Sequence, residues 1–129
     1  MSDLPKFVTI QEEGPREGFQ IEKAPIATAD KVRFIEALAE TGLKKIDCVS
    51  YVNPARVPGM ADADEVASAI VKRPDVKYTG LWLNKTGFER ALRLPLDLIG
   101  SLMVSASETF SQKNTGKSIA DTYIDQAAT

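Results

Sequence analysis

The sequence predicts an α/β protein built on parallel strands, and three observations carry that reading. Strand-like and helix-like segments alternate four times along the chain, the rhythm of consecutive βα units joined by crossover connections. The last strand-like run, Leu96 to Val104, is nearly all apolar, as expected of a strand covered on both faces. Polar and charged residues gather where each strand ends, the edge at which parallel α/β folds build their sites. Two architectures satisfy this pattern: an open, doubly wound sheet, or part of a (β/α)8 barrel. A complete barrel takes about 250 residues, so 129 residues hold about half of one. The open sheets' phosphate fingerprint is missing, since Glu13-Gly14-Pro15-Arg16-Glu17-Gly18 is not a Gly-x-Gly-x-x-Gly turn. That favours the barrel, with the chain as its first four βα units.

The elements follow in order. Phe7 to Gln11 is rich in β-formers and reads as the first strand. Asp30 to Thr41 reads as a helix with Val32, Ile35, Leu38 and Ala39 on one face, capped by Thr28 or Ala29 and ended by Gly42. Lys45 to Ser50 is the second strand. Asp62-Ala63-Asp64-Glu65 resembles a capping box that opens a helix with Val66, Ala69 and Ile70 inward, stopped at Pro74. Val76 to Leu83 is the third strand. Phe88, Ala91 and Leu92 mark a short helix ending before Pro95. Leu96 to Val104 is the fourth strand, and Ser118 to Ala127 is a final helix with Ile119, Tyr123 and Ala127 aligned.

Composition narrows the function classes. Hydrophobic residues make up 43% and charged residues 26%, with 16 basic and 18 acidic side chains interspersed. No basic stripe tracks a phosphate backbone, which argues against nucleic acid as a partner. The longest uncharged stretch, Leu98 to Ser107, falls far short of the roughly 20 residues that span a bilayer. No signal pattern opens the chain, and the single cysteine, Cys48, rules out an internal disulfide and fits a reducing compartment. A soluble, cytoplasmic protein is expected. The chain has no histidine, so the commonest general base and transition-metal ligand is absent from any mechanism it runs alone.

The residues at the strand ends carry the candidate chemistry. Glu12, Glu13, Arg16, Glu17 and Gln20 follow the first strand; Asp47, Ser50 and Asn53 belong to the second; Asn84 follows the third; Ser105, Ser107 and Glu108 follow the fourth. Serine and asparagine in such places also serve simply as helix caps and turn formers. Arg16-Glu17 could pair an anion-stabilising cation with a metal-binding carboxylate, or it could be a surface ion pair worth under about 1 kcal/mol. Asp47 lies inside an apolar strand, where an unpaired carboxylate is too costly; it faces a polar cavity or makes a structural hydrogen bond. Its neighbour Cys48 points the other way, toward the helices, with nothing nearby to activate its thiolate.

At these residues the chain resembles a known family. Gly14-Pro15-Arg16-Glu17-Gly18-Phe19-Gln20-Ile21-Glu22 is similar to the Gly-Pro-Arg-Asp-Gly-Leu-Gln-x-Glu signature of 3-hydroxy-3-methylglutaryl-CoA lyases. Ile46 to Pro54 resembles the family's second-strand segment, and Val57-Pro58-Gly59-Met60-Ala61-Asp62 its Val-Pro-Gln-Met-Ala-Asp stretch. Asn84 to Glu89, and Ser105 to Ser111 with Asn114, follow in the family's order. The resemblance implies a metal-dependent (β/α)8 barrel of the pyruvate-carboxylase-like superfamily, of which residues 1–129 would be the N-terminal half. It implies carbon–carbon cleavage of a 3-hydroxyacyl-CoA to acetyl-CoA and a keto acid, with a divalent metal, magnesium or manganese, in the complete enzyme. Carried over by position, Arg16 would stabilise the enolate oxygen, Glu17 would bind the metal and Asp47 would be the acid. Gln20, Ser50, Asn84 and Ser107 would surround the substrate or metal.

Two departures stand out. The signature's metal-binding aspartate is Glu17 here, and the glutamate of the second strand is Asp47. The family's His-x-His pair, a later asparagine ligand and a mobile-loop cysteine would lie in the other half. The chain alone is therefore expected to be inactive, to bind no metal tightly, and to self-associate through exposed sheet edges. A non-catalytic half-barrel module for binding or assembly is the alternative, and a carboligase or aldolase cousin is another.

Overall fold

The structure is a computed structural model that describes residues 3–100 and 103–128. A wide helical turn, Gly14–Gly18, leads into the single turn α1 (Phe19–Ile21). Then come α2 (Thr28–Ala39), β1 (Lys45–Ser50), a tight turn at Pro58–Met60 and α3 (Ala63–Ala69). The series ends with β2 (Lys77–Leu81), α4 (Lys85–Ala91), α5 (Glu108–Thr115) and α6 (Ile119–Ala127). β1 and β2 are the second and third expected strands. They pair in parallel, with Lys45 opposite Lys77, Ile46 opposite Tyr78 and Asp47 opposite Thr79. A bulge at Cys48 then shifts the register, so that Val49 faces Gly80 and Ser50 faces Leu81. An extra residue in one strand flips the side-chain alternation beyond it. Asp47 and Ser50 therefore lie on one face of the sheet, although three positions apart.

The outer strands differ from expectation. Phe7 to Gln11 is not a strand; the chain there pairs only through Glu12, which bridges Ile46 in parallel. Leu96 to Val104 is reduced to one parallel bridge, Asp97 to Thr79, and residues 101 and 102 of that run lie outside the described residues. The spatial order is still the chain order: Glu12, β1, β2, Asp97. Among the described residues neither outer segment has a further neighbour. A strand bonded on one side only loses half its ladder, and a two-stranded nucleus is marginal by itself. Side chains tether the fourth segment instead. Trp82 Nε1 donates to Ile99 O at 3.0 Å, and the Gln126 carboxamide accepts from Met103 N and donates to Met103 O at 2.7 and 2.8 Å.

The core lies between β1–β2 and the helices, where Ile35, Ile46, Val66, Ala67, Tyr78 and Cys48 are fully or almost fully buried. Cys48 therefore has the structural place expected of it, and burial pushes its thiol up from the ordinary value. α2 is clipped to the Pro58–Met60 turn. Thr28 Oγ1 donates to Asp62 Oδ2 at 2.7 Å, while the buried Lys31 ammonium donates to Gly59 O and Asp62 Oδ1. These donors take the Asp62 carboxylate, so neither expected cap forms: Asp62 makes no side-chain cap to α3, and Thr28 makes none to α2. α3 buries Ala63, Val66 and Ala67, leaving Ala69 exposed. α5 was not expected; Ser107 caps its start and Gly116, at φ 74°, ends it. α6 turns Thr122 and Gln126 inward and leaves Tyr123 exposed, because the Gln126 amide is needed at Met103.

The edges leave an apolar surface uncovered. Phe7 is 81% exposed and Val8 and Ile10 are each 67% exposed, with Leu98 and Met103 open on the opposite edge. Soluble monomers seldom tolerate such patches, and unpaired apolar edges recruit other chains. The 129-residue chain at micromolar concentration is expected to elute from size exclusion as a self-associated species. A monomer with strongly protected amides along both edge segments contradicts this. No helix among the described residues is long and apolar enough to cross a membrane.

Candidate active site

The site is built on the loop after the first segment and on the face of β1 that carries Asp47. Pro15 enters the wide turn, whose start is organised by one carbonyl: Glu13 O accepts from both Arg16 N and Glu17 N, at 3.0 and 2.8 Å. Glu12 ties the turn to the sheet through Asp47 N on Glu12 O at 2.8 Å, and its side chain accepts from Gly14 N at 2.6 Å. A Cβ on Gly14 would stand 2.8 Å from that carboxylate oxygen, so the Glu12 side chain would have to shift. The turn lays the Arg16 side chain inward, where only 8% of the residue is exposed.

Three carboxylates converge on this one guanidinium. Arg16 Nε donates to Asp47 Oδ2 at 2.6 Å and Nη2 to Glu13 Oε2 at 2.7 Å, while Nη1 donates to Glu17 Oε1. The other Asp47 oxygen accepts from Thr79 Oγ1 at 3.1 Å. A guanidinium carries five N–H groups. Three are engaged here, which leaves one on each terminal nitrogen for an acceptor from outside. Burial pulls the Arg16 pKa down, but the charge of Asp47 and its hydrogen bond outweigh that, and the net shift is upward. Arg16 stays cationic. Asp47 is raised above the ordinary carboxylate value, because burial outweighs Arg16 and Thr79. The buried arrangement persists because every partner of the fork is charged and hydrogen-bonded.

The remaining candidates divide. Ser50 is fully buried, and its hydroxyl has no partner among the described residues. It shares the Asp47 face of β1. The Tyr51 hydroxyl is also buried and has no partner among the described residues. Gln20 is half-buried on α1, against the Pro58–Met60 turn, where a Cβ on Gly59 would meet Phe19 O at 2.6 Å. Asn84 and Ser107 are helix caps. Asn84 Oδ1 accepts from Gly87 N at 2.9 Å, and Ser107 Oγ accepts from Phe110 N at 3.3 Å. No hydrogen bond joins either to the Arg16 cluster. Sequence reasoning assigned no role to Glu13 or Thr79. The spacing of Glu13, three residues before Arg16, could have revealed the first; only the strand register reveals the second. A cavity of about 260 Å³, lined by Leu83, Val104, Ser105, Phe110 and Asn114 among others, includes none of the residues around Arg16.

The residues present do not by themselves fit a metal ion. Among the described residues no group of three or more histidine, cysteine, aspartate or glutamate side chains is arranged to hold one. The converging carboxylates are instead turned onto Arg16.

Four parallel positions in chain order, with a charged cluster where they end, are the arrangement of consecutive βα units. No family model matches it. Among curated proteins it is 44% identical over 119 residues to the 3-hydroxy-3-isohexenylglutaryl-CoA/hydroxy-methylglutaryl-CoA lyase of Pseudomonas aeruginosa. It is 41% identical over 123 residues to the mitochondrial hydroxymethylglutaryl-CoA lyase of Rattus norvegicus. These matches cover 92% and 95% of this chain but 39% and 38% of the relatives. Solved structures agree. The hydroxymethylglutaryl-CoA lyase from Pseudomonas aeruginosa matches with a TM-score of 0.85 at 42% identity, over 96% of this chain and 41% of that one. The lyase from Acinetobacter baumannii, in complex with coenzyme A and 3-methylmalate, matches with a TM-score of 0.85 at 30% identity, over 98% of this chain and 41% of that one. The chain is thus similar to hydroxymethylglutaryl-CoA lyases and spans about two fifths of their length, the extent of a half-barrel of βα units.

Proposed function

We propose that residues 1–129 form the N-terminal half of a carbon–carbon lyase that cleaves a 3-hydroxyacyl-CoA, such as 3-hydroxy-3-methylglutaryl-CoA, to acetyl-CoA and a keto acid. One observation carries the reading: Arg16 is buried, charged and held by three carboxylates, yet keeps two N–H groups for an outside acceptor. In the cleavage, the 3-hydroxyl loses its proton and becomes a carbonyl, while the bond electrons pass to the thioester as an enolate. The enolate oxygen is the charge that the free Arg16 N–H groups would meet. Asp47, with its carboxyl pushed upward by burial, suits a group that takes the proton leaving the 3-hydroxyl and returns it to the enolate carbon. Ser50, with its unpartnered hydroxyl, is the residue we place next to substrate. Gln20 is assigned to the rim. Asn84 and Ser107 would act there only by positioning the helices that they cap. The acyl-CoA partner is supported by the relatives' names and by the coenzyme A in the Acinetobacter structure. The single buried thiol supports a cytoplasmic setting.

Glu17 is the one residue assigned to a divalent metal, magnesium or manganese, and one carboxylate does not make a site. The isolated chain is therefore expected to be inactive. Calorimetric titration with magnesium or manganese should give only weak, roughly millimolar binding, and a sub-micromolar site contradicts the assignment. The activity itself is tested by a graft, in which this chain replaces the matching segment of the Pseudomonas relative. Release of acetyl-CoA from 3-hydroxy-3-methylglutaryl-CoA is the expected result. A graft that folds like its parent but turns over no 3-hydroxyacyl-CoA sinks the lyase reading in favour of a non-catalytic module.

A further inference from the structure

Lys31 is buried on α2, and the chemistry proposed above gives it no part. Only 5% of the residue is exposed, and its ammonium donates to Gly59 O at 2.7 Å and to Asp62 Oδ1 at 2.5 Å. An ammonium taken out of water needs such acceptors around it. We propose that Lys31 is a positioning residue for the Arg16 loop, acting through the Gly59 backbone that its charge holds against Phe19.

The path is short and mostly main chain. The Pro58–Met60 turn meets the loop backbone to backbone: a Cβ on Gly59 would stand 2.6 Å from Phe19 O and 3.5 Å from Gln20 Cα. Gly59 is not among the glycines with positive φ, so a side chain there is opposed by this close approach and not by its dihedral angles. Phe19 in turn closes the wide turn, its N–H donating to Arg16 O. Lys31 therefore fixes the carbonyl of a residue against which the end of the Arg16 turn rests. Asp62, held also by Thr28 Oγ1 at 2.7 Å, keeps the ammonium at that carbonyl. Phe34, three positions along α2, supports the same place, its ring 5.5 Å from the ring of Phe19. The start of the turn is tied to β1 through Glu12; its end depends on Gly59, and Gly59 on Lys31.

Hydrogen exchange tests this in the 129-residue chain and in its Lys31→Met, Gly59→Ala and double variants. Lys31→Met keeps the stem and removes the charge, whereas Gly59→Ala keeps the charge and disturbs the contact with Phe19. Each is expected to speed exchange over residues 14–21 about tenfold while leaving residues 77–81 of β2 unchanged. Because both act on one contact, the double variant should exchange no faster than the faster single variant. Accelerations that multiply mean separate effects and overturn the proposal. Parental protection over residues 14–21 also overturns it, as does a general loss that includes β2, the mark of a pair that serves stability only. Should Lys31→Met fail to fold, Gly59→Ala decides by the same two segments. In the grafted enzyme, an arm that rests on the lyase reading, Lys31→Met should lower kcat about tenfold with KM little changed. Faster loop exchange at parental kcat overturns the link to the site. A graft inactive before any substitution counts against the lyase reading, and the exchange result then decides the role of Lys31.

Discussion

In the grafted enzyme, Arg16→Lys is expected to lower kcat about 100-fold, the scale on which removing one oxyanion donor acts, while KM changes little. Lysine keeps the charge but loses the planar fork. In the native site, Nε, Nη1 and Nη2 each engage a different carboxylate and still leave two N–H groups outward. An ammonium has three donors, and three carboxylates would occupy them all. The loss should fall on turnover, because the interaction strengthens as the enolate forms and is weak in the ground state. Steady-state kinetics on purified graft and variant decide the matter. Unchanged kcat with a raised KM would demote Arg16 to a substrate anchor.

Asp47→Ala is expected to destabilise the 129-residue chain by about 3 kcal/mol, the low end for breaking a buried ion pair. Arg16 would stay buried but keep Glu13 and Glu17, which holds the cost at that end; Thr79 would also lose its acceptor. Urea unfolding of the two chains measures the difference. Asp47→Asn keeps the shape and one acceptor oxygen while removing the charge, and should cost less than alanine. A loss below about 1 kcal/mol for alanine, the level of exposed pairs, would show that the Arg16–Asp47 contact is loose in solution.

Both expected results depend on contacts that the sequence could only suggest. Arg16, Glu17 and Asp47 stood out by type and position, an Arg-Glu pair in a glycine-flanked loop and a carboxylate inside an apolar strand. Their meeting needed the parallel pairing of Glu12 beside Ile46, which places the loop over β1. Asn84 and Ser107 read equally well as caps or as site residues. The structure makes both caps, because a side-chain oxygen after a strand finds the nearest unpaired helix N–H first. The capping box at Asp62 failed for the opposite reason: a buried lysine, Lys31, claimed its carboxylate from another element.

The sequence by itself determined the α/β class, the order of the βα units, the two inner strands and the edge where the charged residues collect. These rest on local periodicity and turn chemistry, which neighbours along the chain decide. Tertiary structure alone decided that Phe7–Gln11 and Leu96–Val104 are held by single bridges and side chains rather than by ladders. It also decided that the bulge at Cys48 turns Ser50 to the Asp47 face, and that three carboxylates share Arg16. Strand pairing and buried ion pairs depend on partners distant in the chain, which neighbours along the chain do not reveal.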